Sequence, residues 1–158
     1  MMKKYLALVA LVILGVTSFA FTKSSAIDDV DSTELTDAKP NKVKQMDKDM
    51  FLSEVFDYKN SKEWDFKGDK PAVIDLYADW CAPCRMIAPI IKNLAEEYDG
   101  KVTFYKINVD KEKELAALFN VTSIPLLVFI PKDGQPQLLP GAADKATYKK
   151  AIDEFLLK

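Results

Sequence analysis

The order of apolar patterns along the chain predicts an α/β domain in which helices flank a central mixed β-sheet. Apolar runs of strand length alternate with segments whose apolar residues recur at helical spacing, and this alternation is typical of βαβ units. Asp133-Gly134 is a strong turn signal between two strands, so we expect the sheet to close with an antiparallel hairpin. The chain has 158 residues, 49% of them apolar, which is enough for one packed core with appended segments.

The first half of the predicted domain contains a short strand near Val43, a helix, a buried strand and a long helix. The first helix is expected over 50–56, where an apolar face follows a short acidic stretch. Residues 71–78 form an almost unbroken apolar run, which is typical of a strand covered on both faces. The long helix that comes next carries on one face Ile87, Ile90, Ile91, Leu94 and Tyr98. Asp99-Gly100 ends it.

The second half continues the alternation. Residues 102–109 are predicted to form the second main strand, 111–119 a short helix, and 124–130 the third main strand. The hairpin partner of that strand is expected at 136–139. A C-terminal helix follows, with one apolar face made by Tyr148, Ala151, Ile152, Phe155 and Leu156.

The N-terminal residues 1–20 have the pattern of an export signal. Lys3 and Lys4 precede an apolar run, and Ser18-Phe19-Ala20 is a small-residue cleavage pattern with the cut after Ala20. An uncleaved N-terminal anchor is the alternative, because the run from Tyr5 to Phe21 is close to the lower limit of the about 20 apolar residues that span a bilayer. Residues 21–42 lack apolar periodicity and are predicted to form a flexible linker before the domain at 43–158. In either case we expect a periplasmic or other extracytoplasmic location.

Charge and ligand types exclude several classes of function. The formal net charge is −2 and no basic stripe is present, which argues against a nucleic-acid partner. The chain contains two cysteines and no histidine, so a zinc site at Cys81 and Cys84 would need two carboxylate ligands. We therefore expect no metal site and no cofactor.

The spacing of Cys81 and Cys84 leaves two further interpretations. A structural disulfide across so short a loop would stabilise the fold by only about 2 kcal/mol in the chain-entropy model, so a purely structural role is disfavoured. A redox dithiol fits the position better, because the pair lies where an apolar strand passes into a helix. A thiol at the first helical position has its pKa lowered by the helix dipole. Cys84, one turn further on and deeper, could then resolve a mixed disulfide formed by Cys81.

A longer set of residues resembles the thioredoxin family. The segment Trp80-Cys81-Ala82-Pro83-Cys84-Arg85 is similar to its active-site motif. At the family's spacings follow Pro89, Lys106, Ile124-Pro125, Gly134 and Gly141. The resemblance covers roughly residues 43–158, far more than a lone C-x-x-C pair. It implies the thioredoxin fold and dithiol–disulfide exchange through Cys81 and Cys84.

The resemblance also implies roles for other side chains. Asp75 matches a buried acid that moves the proton of the second cysteine, and Lys106 matches a lysine near it; these two join the cysteines as the expected catalytic set. An edge carboxylate that reaches solvent is the alternative for Asp75. The proline that matches Pro125 is cis in the family and faces the dithiol, although a trans proline could open a strand for structural reasons alone. The expected substrate-binding residues are Trp80, Ala82, Pro83, Ile124 and Pro125.

Departures from the family pattern bear on the direction of electron flow and on the choice of partner proteins. Ala82 replaces the usual Gly, Leu126 replaces a Thr, and Tyr77 replaces the first Trp of the Trp-x-x-Trp spacing. Oxidising relatives tend to carry His where this chain has Pro83. We therefore expect a reduction potential nearer ~−270 mV than ~−120 mV, and reduction of disulfides in exported proteins.

Outside the cytoplasm a reductase of this kind needs electrons from a membrane donor, which the sequence does not name. We expect the chain to act as a monomer. Two alternatives remain: a periplasmic disulfide isomerase or oxidase that uses the same cysteines, and a redox-inactive peptide-binding module.

Overall fold

A computed structural model describes residues 42–158. The predicted signal or anchor at 1–20 and the predicted linker, apart from its last residue, lie outside the described residues. Within 42–158 no helix combines the length and the apolar character needed to cross a membrane.

The elements follow the predicted order. The strands are β1 (Val43–Gln45), β2 (Ala72–Tyr77), β3 (Thr103–Asn108), β4 (Leu126–Ile130) and β5 (Gln137–Pro140). The helices are α1 (Lys48–Glu54), α2 (Ala82–Glu97), α3 (Lys113–Leu118) and α4 (Lys145–Ala151), and a π-helical turn (Ile152–Leu156) follows α4. Two bounds differ notably from prediction: α2 begins at Ala82, after Cys81, and β4 begins at Leu126, after Pro125.

The five strands form one mixed sheet in the order β1-β3-β2-β4-β5, which confirms the predicted fold class. The pairs β1–β3 and β2–β3 are parallel, whereas β2–β4 and β4–β5 are antiparallel. β2 is thus central, and its main-chain groups are paired on both sides. Both of its faces are also covered by helices, and this burial of successive side chains explains why its sequence is an apolar run rather than an alternating one.

Each face of the sheet has its own apolar core. On one face Val73 and Phe104 pack with the buried stripe of α2 and with Tyr148 of α4. On the other face Ile74 and Ile107 pack with Phe51 of α1 and Leu115 of α3. Because successive strand residues point to opposite faces, Asp75 lies on the α2 face beside Val73.

The helix ends have local causes. Asp47 caps α1, since its carboxylate accepts a hydrogen bond from Met50 N at 2.8 Å. Asp144 caps α4 in the same way through Thr147 N at 2.8 Å. Beyond the C-terminus of α2, Gly100 has a φ of +78°, a conformation that glycine adopts without strain. These residues fix where α1 and α4 begin and where the chain turns after α2.

Candidate functional site

The two cysteines lie where β2 passes into α2. Cys81 is the N-cap residue and Cys84 lies in the first turn. Their sulfurs are bonded at 2.00 Å, with 5.3 Å between the Cα atoms. The structure is therefore that of the oxidised form.

Two details of the predicted dithiol are corrected. Cys81 precedes the first helical residue rather than being that residue, because its extended backbone (ψ 105°) is that of a cap. Cys84 is not the deeper of the two by exposure: Cys81 is 2% exposed and Cys84 3%. Both cysteines pack with Ala78, and Val109 and Ile124 pack against this cluster. The cover comes from loops distant in sequence, so helical position alone did not predict it.

The cap position gives Cys81 a specific electrostatic environment. The backbone N–H of Cys84 donates to Sγ of Cys81 at 3.2 Å, and the N-terminus of the 16-residue α2 points towards the same atom. Both features favour negative charge on that sulfur once the disulfide is reduced. Pro83 stands in the first turn of α2, where a missing N–H leaves no helical bond unmade.

Asp75 is in the interior and not at a sheet edge. It lies on the central strand and is 6% exposed, and its Oδ1 is buried without a hydrogen-bond partner in the described part of the chain. The pKa of Asp75 is raised to about 7, because the effect of burial, which raises it, exceeds that of the Lys106 charge, which lowers it. A cavity of about 210 Å³ is lined by Asp75, Cys84 and Lys106 among others. A carboxyl group that titrates near neutrality therefore shares a cavity with the second cysteine.

Lys106 lies directly across from Asp75 on β3. Its ammonium is 5.5 Å from the centroid of the Tyr77 ring, a cation–π arrangement. Among the described residues, Lys106 and Asp75 form no ion pair with each other. The structure thus brings Asp75, Lys106 and Cys84 together, as the sequence predicted.

Of the five expected substrate-binding residues, Trp80, Ala82 and Pro83 adjoin the cysteines in the chain, and Pro125 is buried. Trp80 is 68% exposed, and its indole Nε1 donates to Asp110 Oδ2 at 2.9 Å. Ala82 is exposed and Pro83 half-buried. The Ile124–Pro125 peptide bond is cis, and Ile124 packs against the two cysteines. An exposed apolar surface therefore adjoins the disulfide.

Sequence reasoning missed the polar support of this surface. Buried Asn108, at the end of β3, donates through Nδ2 to Asp79 Oδ2 at 3.2 Å and accepts from Asp110 N at 3.0 Å. Asp110 in turn holds Trp80. The only signal was a polar residue at the end of an apolar strand, and such residues also end strands for structural reasons alone.

Met86 was also missed. It is 66% exposed on α2, one helical turn after Ala82 and therefore on the same face. An apolar residue opposite the buried stripe of an amphipathic helix was the signal that could have found it. Within residues 42–158 no group of three or more His, Cys, Asp or Glu side chains is arranged to hold a metal ion.

Comparisons with known proteins agree with this geometry. The family model for Thioredoxin matches residues 42–154. The chain is 44% identical over 105 residues to Thioredoxin of Borreliella burgdorferi, a match that covers 66% of this chain and 90% of that protein. It is 36% identical over 107 residues to Thioredoxin M-type, chloroplastic, of Spinacia oleracea, covering 66% of this chain and 59% of that protein.

A solved structure of chloroplastic thioredoxin z superimposes with a TM-score of 0.61 at 25% identity, covering 72% of this chain and 93% of that one. With the bonded Cys81–Cys84 pair, these matches identify a thiol–disulfide oxidoreductase with protein-disulfide reductase activity. The predicted resemblance and fold are confirmed, and the chain belongs to the thioredoxin family.

Proposed function

We propose that this chain reduces disulfides of exported proteins outside the cytoplasm, with Cys81 as the attacking and Cys84 as the resolving residue. One observation carries the assignment of roles: Cys81 caps α2 and its sulfur accepts the N–H of Cys84. Cys84, inside the first turn, has no equivalent position at the helix end. The sulfur with the better-stabilised negative charge is the better nucleophile at neutral pH.

The exchange balances in two steps. In the reduced protein the Cys81 thiolate attacks one sulfur of a substrate disulfide, which forms a mixed disulfide and releases the other sulfur as a thiolate that takes up a proton. Cys84 then loses its proton, and its thiolate attacks Sγ of Cys81. This step releases the second substrate sulfur and leaves the Cys81–Cys84 disulfide. The substrate gains two electrons and two protons.

Asp75 is proposed as the base that takes the proton of Cys84. Its raised pKa, about 7, suits proton transfer near neutral pH because both of its protonation states are then populated. Lys106 is proposed to keep that pKa from rising further. The cavity that Asp75 and Cys84 share supports a direct or water-mediated transfer.

Trp80, Ala82, Pro83, Ile124 and Pro125 are proposed to contact the substrate. Trp80 and Ala82 are supported by exposure beside the cysteines, and Pro83 lies between the cysteines. Ile124 is supported by its packing against the two cysteines, and buried Pro125 by the cis peptide bond that joins it to Ile124. Met86 extends the apolar surface along α2. Thioether side chains adapt to differently shaped partners, which suits an enzyme with several protein substrates.

The compartment and the direction of electron flow rest on the sequence. The basic and apolar start of the chain, with Ser18-Phe19-Ala20, supports export. Pro83 between the cysteines supports a reducing rather than an oxidising potential. In this compartment the oxidised enzyme would be reduced again by a membrane electron donor, and we propose that it works as a monomer.

Reduction of insulin disulfides with dithiothreitol tests the chemistry. The wild-type chain should turn over, and Cys84→Ser should stop after one step as a mixed disulfide held by Cys81. Cys81→Ser is the matched control and should form no such adduct. An adduct carried by Cys84 in Cys81→Ser, with none in Cys84→Ser, would reverse the proposed roles.

Three measurements test the finer claims. Cell fractionation of the tagged full chain should place it outside the cytoplasm, and recovery in the cytosol would refute export. Equilibration with glutathione should give a potential well below about −180 mV, since a value above that lies in the isomerase range. Client protection that is unchanged in the double Cys→Ser variant would favour a peptide-binding module instead.

A further inference from the structure

Tyr77 occupies a place that the exchange mechanism does not explain. We propose that it is a positioning residue whose ring holds the Lys106 ammonium beside Asp75 and keeps the two from forming an ion pair. The inference rests on the proposed role of Asp75 as a base. It concerns how that base is kept able to accept a proton.

The register of the sheet makes the absence of an ion pair notable. Gln45 on β1, Lys106 on β3 and Asp75 on β2 form one row across three parallel strands. A lysine side chain is long enough to reach a carboxylate on the adjacent strand. Yet the Oδ1 atom of Asp75 is buried with no hydrogen-bond partner, and no ion pair joins these two described residues.

The Tyr77 ring accounts for where the ammonium goes instead. Tyr77 lies two residues beyond Asp75 on β2 and therefore on the same face of the sheet. The Lys106 Nζ atom is 5.5 Å from the centroid of its ring. The ring face attracts a cation and so competes with the carboxylate for the same ammonium.

The Tyr77 ring is itself held by a hydrogen bond to a residue in the row that contains Lys106 and Asp75. The Tyr77 hydroxyl donates to Gln45 Oε1 at 3.1 Å. Gln45 pairs with Lys106 in the register, so the tyrosine side chain reaches back across β3 to β1. This bond spans Lys106 and holds the ring where the ammonium can lie over it.

The consequence for Asp75 is electrostatic. A directly paired cation typically lowers a carboxyl pKa by about 1–3 units. Asp75 would then remain ionised at neutral pH and bind the proton of Cys84 weakly. With the ammonium held aside, burial is the largest influence and the pKa of Asp75 stays at about 7.

Besides Tyr77, several charged or titratable groups face Asp75. On its own strand and the loop that follows, the neighbour besides Tyr77 is Asp79. From the packed elements they are Cys84, Arg85 and Lys92 of α2, Tyr148 of α4 and Lys106 of β3. A change specific to the Tyr77–Lys106 contact must therefore be separated from these by a double-mutant cycle.

A carboxyl ¹³C titration of the oxidised full-length chain tests the proposal. Tyr77→Leu should lower the pKa of Asp75 by about 1 unit, because the freed ammonium can pair with the carboxylate. Gln45→Ala should shift it in the same direction by less. Lys106→Met should raise it. In the Lys106→Met background, Tyr77→Leu should produce less than half of its effect.

The chain supplies a matched control. Lys44 lies 5.7 Å from the centroid of the Tyr105 ring, a contact of the same kind that is not beside Asp75. Lys44→Met should leave the pKa of Asp75 unchanged. In insulin reduction, Tyr77→Leu should also move the acid limb of the pH–rate profile to lower pH.

Three results would overturn the proposal. They are an unchanged or raised pKa of Asp75 in Tyr77→Leu, an equal lowering with and without Lys106, and a shift in Lys44→Met as large as that in Tyr77→Leu. The titration needs no substrate. A wild-type chain that failed to reduce insulin would therefore refute the proposed function without deciding this one.

Discussion

Replacement of Asp75 by Asn should make the fold more stable at high pH, and the gain should grow with pH. The folded pKa of Asp75 is raised from 3.8 to about 7, with burial as the largest cause. The folded state therefore holds the proton more tightly than the unfolded chain does. Any stability that this proton contributes is complete below about pH 4 and is lost as the pH rises through about 7.

The size of the effect follows from the two pKa values. With about 1.36 kcal/mol per pKa unit, the raised pKa lowers the free energy of unfolding, relative to its value at low pH, by about 1.5 kcal/mol at pH 5 and about 4 kcal/mol at pH 8. The advantage of Asp75→Asn over the wild type should thus increase by about 2.5 kcal/mol across this interval. The difference in free energy of unfolding between the two proteins should also contain a part that does not change with pH, because the new amide N–H groups are buried at every pH.

Urea unfolding of the oxidised chain at pH 5, 6, 7 and 8 measures this difference. The chain contains no histidine, so the side chains that usually titrate in this interval are absent. Groups common to both proteins cancel when their free energies of unfolding are subtracted. A difference that stays constant within about 0.5 kcal/mol from pH 5 to pH 8 would refute the assignment of a neutral-range pKa to Asp75.

Three further predictions concern the core, a loop and the substrate surface. Phe51 is 0% exposed, with its ring edge-on to Phe119 at 5.6 Å, so Phe51→Ala should cost about 3–5 kcal/mol of unfolding free energy in urea titrations. A Cβ at Gly68 would lie 2.5 Å from the tip of the Phe66 ring, so Gly68→Ala should displace that ring. We expect the free energy of unfolding to fall by about 1–2 kcal/mol, which a lower midpoint of thermal unfolding would reveal. Met86→Lys should raise KM for insulin several-fold at unchanged kcat. Leu138→Lys, a similar change at an exposed position on β5, is the control and should leave KM unchanged. Equal effects of the two substitutions would contradict a substrate contact at Met86.

Much of the fold could be predicted from local pattern. The apolar run at 71–78 and the stripe of Ile87, Ile91 and Leu94 identified β2 and α2, because burial on two faces and on one face leaves different spacings. The turn at Asp133-Gly134 located the hairpin of β4 and β5. The π-helical turn after α4 was not predicted, since its sequence continues the apolar spacing of an ordinary helix.

The candidate site was predicted in part. The residues of the active-site motif are contiguous, so the position of Cys81 at a helix end followed from the strand and helix on either side. Asn108 and Asp110 were missed, because their hydrogen bonds join residues 29 and 30 positions apart. Bonds of this range depend on the register between β2 and β3, which periodicity does not encode.

The sequence by itself determined which residues face a core, the order of strands and helices, and that two cysteines one turn apart stand at a strand–helix junction. Only the tertiary structure decided that both cysteines are buried to a similar degree and that Lys106 lies over Tyr77 instead of pairing with Asp75. The physical reason is that burial preference is a property of each side chain and its near neighbours. The choice among partners depends on which strands pair and in which register, and distant segments compete for that choice.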